Sequence, residues 1–227
     1  MSDIILHQWE ISPFCTKIRL ILDYKNIPYT CKNYNGLLSL KAKSLSPVGK
    51  LPVLEIKGEL IQDSRTIIDK IEALYPEPAL LPSDPELRAD AELMQDWADE
   101  SIYFYEISLR ALYPEALEKL AGFMTEGRPG YEKVLLKPVL KKELSKAAKS
   151  QGVGRRSKTD IEQRFLFLMK QIDLKLADKT WLVGDAKSIA DFALAGQLYE
   201  ILRTSHVNDQ LLALPNLKAW LGRMQCL

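Results

Sequence analysis

Four prolines, at positions 76, 78, 82 and 85, divide the 227-residue chain into two parts with different patterns. Proline restricts its own backbone and that of the preceding residue, so such a stretch is typical of a linker. Before the prolines, strand-like and helix-like patterns alternate, whereas after them apolar residues recur only at helical spacing. We therefore predict one domain at residues 1–77, a linker at 78–85 and an all-helical domain at 86–227.

The first part predicts the element order β-α-β-α-β-β-α. Short apolar runs at 4–9, 29–33, 52–56 and 59–61 indicate strands, and Pro52 stands at the start of its strand, where a sheet accepts proline. Ser12 and Pro13 are typical of a helix start, and residues 64–75 have helical spacing. Residues 36–45 have only a weak helical pattern. This alternation predicts the α/β class.

The second part predicts helices at 86–106, 114–150, 159–178, 188–203 and 215–225, with breaks near 127–130 and at Pro138. Ser188 and Asp191 have the S-x-x-D spacing of a capping box, in which each satisfies a free donor at the helix start. We therefore assign this pair a structural role, and we expect loss of Asp191 to cost on the order of 1 kcal/mol or more.

Composition excludes several classes of partner. Lys and Arg total 31 and Asp and Glu total 30, so the chain lacks the basic surplus of a nucleic-acid binder. No apolar run reaches the ~18–20 residues that span a bilayer, which argues against a membrane partner. Residues Met1-Ser2-Asp3-Ile4 lack the features of a signal peptide, so we expect a cytoplasmic protein.

Cysteine and histidine are scarce. Cys15, Cys31 and Cys226 include no C-x-x-C pair, and His7 and His206 stand in no metal-ligand spacing, so we expect no metal site. No G-x-S-x-G, Walker loop or G-x-G-x-x-G is present, which argues against hydrolase and nucleotide-binding chemistry.

Charge is unevenly distributed along the chain. Residues 84–106 contain eight acidic residues and one arginine, and residues 133–158 contain nine basic residues and one glutamate. Two solvated helix faces are the preferred interpretation. Alternatively, the two segments meet within one subunit or across a dimer. A third alternative is a partner or membrane-surface site in 133–158, which would associate in a salt-dependent way. Binding of RNA or single-stranded DNA by this segment is a distant alternative.

The segment Ser12-Pro13-Phe14-Cys15 lies at a strand-to-helix turn. Free N–H groups and the helix dipole at such a turn stabilise an anion such as a thiolate. The Ser12 hydroxyl can donate a hydrogen bond to a bound thiolate, and Cys15 in the same turn can have a lowered pKa. Alternatively, Ser12 only caps the helix and Cys15 packs as a small hydrophobic residue.

Two further segments complete a candidate site. Pro52 beside a helix N-terminus is compatible with a cis bond that turns the preceding backbone toward an extended peptide. Ser64 at a helix start suits a carboxylate, and Asp63 suits an ammonium group. An edge-strand proline and a helix cap are the alternatives. Together the three segments describe a site for a small zwitterionic thiol peptide.

In their order and spacing, these segments resemble the glutathione S-transferase family over nearly the whole chain. The resemblance implies a thioredoxin-like α/β N-terminal domain followed by an all-α C-terminal domain. It implies catalysis by Ser12, the first residue of the S/C-P-x-C turn, or by Cys15. The implied glutathione-binding residues are Phe14, Lys50, Leu51, Pro52, Asp63 and Ser64.

The resemblance also implies a role for most of these residues. The Leu51 backbone, before a cis-Pro52, pairs with the cysteinyl part of glutathione. Asp63 and Ser64 hold the γ-glutamyl group, and Lys50 approaches the glycyl carboxylate. Residues 181–192 resemble the family's helix entry, which includes the Ser188 capping box.

Within the family, residues 12–17 and 151–155 are most similar to the branch of metaxin and failed-axon-connections proteins. Omega-like and glutaredoxin-like members carry Cys at the first position of the turn, where this chain has Ser12. Dithiol chemistry is therefore disfavoured, and Cys15 would act alone in any thiol exchange.

The implied function is conjugation of reduced glutathione, as co-substrate, to a small apolar electrophile. Candidates for the electrophile pocket are Trp97, Tyr103, Tyr105 and Arg110. Core packing is the alternative for the three aromatic residues, and the sequence does not favour the pocket over the core for any of them. The resemblance also implies a homodimer. The alternatives are a non-catalytic glutathione-binding or protein-interaction module and a thiol transferase or peroxidase that uses Cys15.

Overall fold

The structure is a computed structural model that describes residues 4–226, apart from the side chain of Lys43. Residues 1–3, used above to argue against a signal peptide, and residue 227 lie outside the described residues.

The N-terminal part is a four-stranded mixed sheet in the order β2-β1-β3-β4. Strand β1 is parallel to β2 and antiparallel to β3, and β3 is antiparallel to β4, so that Leu6 lies opposite both Cys31 and Leu54. The elements are β1 Ile4–Gln8, α1 Pro13–Tyr24, β2 Thr30–Asn33, a 3₁₀ segment Gly36–Lys41, α2 Ala42–Leu45, β3 Val53–Ile56, β4 Glu59–Gln62 and α3 Ser64–Leu74. This arrangement confirms the predicted thioredoxin-like part.

The C-terminal part is helical, as predicted. Its elements are α4 Pro85–Trp97, a π-helical turn Ala98–Ile102, α5 Tyr103–Leu112, α6 Pro114–Met124, α7 Gly130–Gln151, a 3₁₀ turn Val153–Arg155, α8 Lys158–Lys175, α9 Ile189–Thr204, α10 Asn208–Leu212 and α11 Pro215–Arg223. Helix α9 is buried on all sides and forms the centre of this part. The domain boundaries at residues 77, 78–85 and 86 stay a prediction.

Two details of the helical part differ from the sequence prediction. The predicted helix 86–106 is interrupted by the π-helical turn, and the predicted break at Pro138 is wrong because α7 continues through it. Pro138 lies on the exposed side of α7, as does Val134 four residues earlier. Solvent can therefore satisfy the Val134 carbonyl that the missing proline N–H leaves free.

Helix α1 packs directly against α9, and a glycine makes this contact possible. A Cβ atom at Gly196 would lie 2.6 Å from the carbonyl oxygen of Pro13 and 3.2 Å from Lys17. Only glycine allows so close an approach. The contact fixes the first turn of α1, which begins just after Ser12, against the helical part.

Candidate functional site

A cavity of about 510 Å³ lies where the N-terminus of α3, the segment before β3 and helix α4 meet. All six residues that the family resemblance implies for glutathione binding line it, namely Phe14, Lys50, Leu51, Pro52, Asp63 and Ser64. The sheet explains this meeting because β3 and β4 bring residues 50–52 and 63–64, distant in sequence, to one edge. The Leu51–Pro52 peptide bond is cis.

The start of α3 offers free hydrogen-bond donors to this cavity. Asp63 has a left-handed backbone (φ 71°), and its Oδ1 accepts hydrogen bonds from the N–H groups of Arg65 and Thr66, at 2.9 and 3.3 Å. Asp63 therefore caps the helix and also lines the cavity. Within residues 4–226, the Ser64 N–H and hydroxyl donate to no other group. These donors can accept an anionic group.

Helix α4 and the π-helical turn supply an acidic wall that the sequence analysis did not predict. Glu92, Asp96, Asp99 and Glu100 line the cavity opposite Asp63. Glu92, Asp96 and Asp99 are spaced by four and three residues, so the sequence does indicate that they share one helix face. The sequence favours a solvated face for residues 84–106, but part of that face lines the cavity.

Two of these carboxylates are paired with cations from the α/β part. Arg65 binds Glu92 through two nitrogens, and its Nε lies 3.2 Å from Asp69. Lys17, which is buried, lies 2.6 Å from Asp99 Oδ2. Burial raises the pKa of Asp99, and the Lys17 ammonium opposes that shift. Both pairs join the two parts of the chain across the cavity.

Ser12 lies at the start of α1 but not in the lining of this cavity. Its backbone is extended (φ −86°, ψ 128°), its N–H donates to Trp9 O at 3.0 Å, and its side chain makes no helix-cap hydrogen bond. The side chain is half-buried and interacts with the Cys15 thiol. The hydroxyl therefore does not cap the helix, and its partner is the Cys15 thiol.

The expectation of a lowered pKa at Cys15 is wrong. Cys15 is fully buried, and burial raises the pKa of its thiol to about 12. The Ser12 side chain and the Trp9 backbone oppose this shift but do not offset it. Because the reactive form of cysteine is the thiolate, a neutral buried thiol is a poor nucleophile. Cys15 packs instead with Tyr34, Leu51 and Val53.

The four candidates for the electrophile pocket do not line this cavity. Tyr105 and Arg110 are buried, Tyr105 in the core and Arg110 in an ionic cluster, so the prediction for these two is corrected. Trp97 is half-buried and packs against the same core. Tyr103 contacts Phe14, a lining residue, edge to face, with ring centroids 5.0 Å apart.

The apolar residues nearest the Ser12 turn come from α6 and α7 instead. Ile11 packs with Leu117 and Leu120 of α6, and Leu140 and Leu144 of α7 pack against the same cluster. These positions lie on two later helices, so the spacing within α4 and α5 does not indicate them.

A buried ionic cluster lies behind the Ser12 turn. The Arg110 guanidinium donates to the carbonyl oxygen of Ile11 at 3.2 Å and lies 2.8 Å from Glu106 and 3.6 Å from Glu200. Glu200 also accepts a hydrogen bond from Thr16 on α1 at 2.5 Å. Neither oxygen of Glu106 is in a well-aligned hydrogen bond within the described residues, and burial raises its pKa to about 7.

Asp191 is surrounded by hydrogen-bond donors from its own helix start and from α11. Its carboxylate accepts hydrogen bonds from the N–H groups of Leu182 and Ser188, the Ser188 hydroxyl and the Trp220 indole, at 2.8–3.1 Å. It is buried at the start of α9, far from the cavity lining. The structure therefore places Ser188 and Asp191 in a helix cap that also binds α11.

The remaining titratable groups offer no metal centre in the part of the chain that is described. No set of three His, Cys, Asp or Glu side chains between residues 4 and 226 is arranged to hold an ion. His7 bonds Tyr34 and Glu55, at 2.8 and 2.9 Å, within the sheet. Over the same residues, no helix has both the length and the apolar character to cross a membrane.

Curated relatives share parts of this sequence. A glutathione S-transferase from Pseudomonas putida is 31% identical over 137 residues, which are 55% of this chain and 62% of that protein. A probable maleylacetoacetate isomerase from Caenorhabditis elegans is 35% identical over 91 residues, 38% of this chain and 42% of that one. The match thus spans less than two thirds of either relative. FtsZ-localized protein A from Caulobacter vibrioides is 28% identical over 198 residues, 85% of this chain and 75% of the relative.

Solved structures share the fold over almost the whole chain. A beta-etherase from Sphingobium aligns with a TM-score of 0.72 at 18% identity, covering 98% of this chain and 95% of that one. A glutathione S-transferase from Methylobacillus flagellatus with bound glutathione aligns with a TM-score of 0.62 at 20% identity, covering 98% and 94%. The narrower similarity to metaxin stays a prediction.

Two family models match this chain in the order in which its two parts occur. The N-terminal domain of glutathione S-transferase matches residues 6–79, and the C-terminal domain of glutathione S-transferase matches residues 139–225. Together with a thioredoxin-like sheet followed by a helical part, these matches show that the chain belongs to the glutathione S-transferase family.

Proposed function

We propose that this protein binds reduced glutathione in the cavity between α3 and α4 and uses its thiolate in a transferase or isomerase reaction. The observation that carries the proposal is that the six implied residues, from three separate segments, line one cavity of about 510 Å³. That volume suits a small ligand of tripeptide size. The glutathione-bound family structure and the transferase and isomerase relatives support the same ligand.

The free donors of the cavity suggest how glutathione is oriented. The Ser64 N–H and hydroxyl would bind the γ-glutamyl carboxylate, and Asp63 with the acidic wall would attract its ammonium group. The backbone of Leu51 would pair with the cysteinyl part. Lys50 would approach the glycyl carboxylate at the other end, and Phe14 and Pro52 would pack against the chain between them.

The proposed chemistry is activation of the glutathione sulfur by Ser12. Its hydroxyl would donate a hydrogen bond to the sulfur, and the N-terminus of α1 would add the positive end of a helix dipole. Both favour the thiolate, which is the nucleophile. The thiolate would then add to a small apolar electrophile, for which the half-buried Leu140 and Leu144 of α7, packed against the buried Ile11, offer an apolar surface.

The two alternative functions are a thiol transferase and a non-catalytic interaction module. A thiol transferase that uses Cys15 is disfavoured because that thiol is buried and its pKa is raised. A non-catalytic interaction module is favoured by one observation, the similarity to FtsZ-localized protein A over 85% of this chain. A homodimer and a cytoplasmic location stay predictions.

Thermal unfolding with and without reduced glutathione tests binding. A ligand at ~100 times its Kd stabilises the fold by about 2.7 kcal/mol, which is worth about 2–4 °C per kcal/mol for a chain of this size. We expect a clear rise in Tm for the wild type and a smaller rise for Ser64→Ala. Ser150→Ala alters an exposed serine of α7, and its Tm should rise as much as that of the wild type. No rise in the wild type at millimolar glutathione would contradict the proposal.

A conjugation assay then separates catalysis from binding alone. We expect Ser12→Ala to lose most turnover while its glutathione-dependent rise in Tm remains, and Cys15→Ala to keep its turnover. Binding without turnover in the wild type, across a panel of apolar electrophiles, would favour the interaction module.

A further inference from the structure

The outward face of helix α7 is apolar over its first half. Tyr131, Val134, Leu135 and Val139 are all exposed, with 75% of the Val134 surface and 55% of the Leu135 surface open to solvent. Four large apolar side chains on one helical segment form a contiguous patch, which is unusual on a free protein surface. Tyr131, Val134 and Leu135 lie between the two ranges that the family models match, and Val139 is the first residue of the second range.

The same face is basic over its second half. Tyr131, Leu135, Pro138, Lys142, Lys146 and Lys149 follow one another at intervals of three or four residues, so they share one side of the helix. Lys141 is exposed beside them, and Arg155 and Arg156 follow the end of the helix. Glu143 is the single acidic residue between 141 and 158.

The charge of these lysines is not neutralised by the rest of the chain. Lys133 and Lys137, on another side of α7, pair with Glu118 of α6. Lys141, Lys142, Lys146 and Lys149, by contrast, form no ion pair with any residue between 4 and 226. In the acidic segment 84–106, Glu92 and Asp99 pair with Arg65 and Lys17 instead. The exposed half-helix therefore carries net positive charge.

A second apolar element lies beside the start of α7. The N–H of Leu37 donates to Glu132 Oε2 at 2.8 Å, which holds the 3₁₀ segment Gly36–Lys41 against the first turn of the helix. Leu40 in that segment is 68% exposed. A further exposed apolar side chain therefore lies on the segment that packs against the start of α7.

We propose that this face of α7, from Tyr131 to Lys149, binds the surface of an anionic phospholipid bilayer. A bilayer surface presents an apolar layer and a dense negative charge side by side, and the two halves of the face match these two features. Tyr131, Val134, Leu135 and Val139 enter the boundary between headgroups and acyl chains. The four lysines contact the anionic headgroups.

The proposal differs from the expectation of no membrane partner, which rested on the lack of a spanning segment. Surface binding needs no such segment, because a helix can lie in the plane of the interface. It does not depend on glutathione, since the cavity residues are on other elements. Failure of the glutathione proposal would therefore leave this one unchanged.

Co-sedimentation of the full chain with vesicles tests the proposal. We expect binding to vesicles of phosphatidylcholine and phosphatidylserine, weak binding to phosphatidylcholine alone, and a decline as salt is raised. The variant K142E/K146E should bind more than tenfold less, because each lysine contributes about fivefold near an anionic surface. The variant V134S/L135S should also bind at least about tenfold less, since it removes apolar area that the bilayer would bury. K170E/K179E and L174S, on the exposed surface of other segments, are the matched controls and should bind as the wild type does.

Four outcomes would overturn the proposal once circular dichroism shows that the variants are folded. The first is no binding of the wild type to vesicles that contain phosphatidylserine. The second is binding that neither α7 variant changes. The third is loss in K142E/K146E with full binding in V134S/L135S, which indicates a site for an acidic macromolecule. The fourth is conversion of a dimer to a monomer by V134S/L135S, which makes this face an interface between two copies.

Discussion

Arg110 on α5 donates a hydrogen bond to the carbonyl oxygen of Ile11, the residue before Ser12, at 3.2 Å. The same guanidinium contacts Glu106 and Glu200, which are both fully buried. A buried cation of the helical part thus binds the backbone next to Ser12. This contact joins residues 99 positions apart in sequence.

Arg110→Ala should destabilise the protein by about 3–5 kcal/mol, because it leaves the buried Glu106 carboxylate without its cation, while Glu200 keeps Arg203 and Arg19. Urea unfolding at neutral pH measures this. Arg164→Ala is the matched control, since Arg164 is exposed on α8, and we expect it to change stability by less than about 0.5 kcal/mol. A loss for Arg110→Ala as small as that of the control would show that the cluster is not an ionic one.

Glu106 should make stability depend on pH in an unusual direction. Its pKa is raised by burial from 4.5 to about 7, although Arg110 opposes the shift. Between pH values of 4.5 and about 7, the folded state therefore binds more protons than the unfolded state. The free energy of unfolding accordingly falls as pH rises through this window, because ionising the buried Glu106 costs free energy. Above a pH of about 7 the cost is fully present, and below 4.5 it is absent.

Glu106→Gln removes this titration, so the stability of the variant relative to the wild type should rise with pH. The relative free energy of unfolding should increase by roughly 3 kcal/mol across the window. Urea unfolding of both proteins at several pH values measures it, and the difference removes titrations that the two proteins share, such as that of Asp99. A difference that does not vary with pH would contradict a raised pKa at Glu106.

The three cysteines should differ sharply toward an alkylating reagent. Cys31 is exposed, whereas Cys15 and Cys226 are buried, and burial raises the pKa of each of these two thiols to about 12. Mass spectrometry after brief treatment of the native protein should therefore find one modified thiol, and treatment in denaturant should find three. Cys31→Ser should leave none in the native protein. Rapid modification of Cys15 would restore the thiol-transferase alternative.

Asp191→Ala should cost about 3 kcal/mol or more, which exceeds the value expected for a helix cap alone. The variant leaves buried donors of Leu182, Ser188 and Trp220 without an acceptor, and each such group is costly. Asp185→Ala, at an exposed position of the same loop, is the control. Equal denaturation midpoints for the two variants would show that the carboxylate does not join α9 to α11.

Local patterns predicted much of the fold and of the candidate cavity. The Ser188 and Asp191 pair lies within one helical turn, so spacing alone identified its cap. The acidic wall was harder because Glu92 and Asp96 look like solvated residues until α4 is placed beside α3. Arg110 and Glu200 belong to different helices, and only packing brings them together. For the same reason, the sequence left open whether Tyr105 lies in the core or in a pocket.

The pKa of the glutathione thiol in the complex tests the central claim most directly. The absorbance of the thiolate, followed against pH at saturating protein, should show a pKa below that of free glutathione in the wild type and in Cys15→Ala. In Ser12→Ala, which should still bind, the pKa should return toward the free value, because the hydroxyl that favours the thiolate is gone. A wild-type complex whose thiol titrates like free glutathione, or a lowered pKa that Ser12→Ala leaves unchanged, would contradict the account.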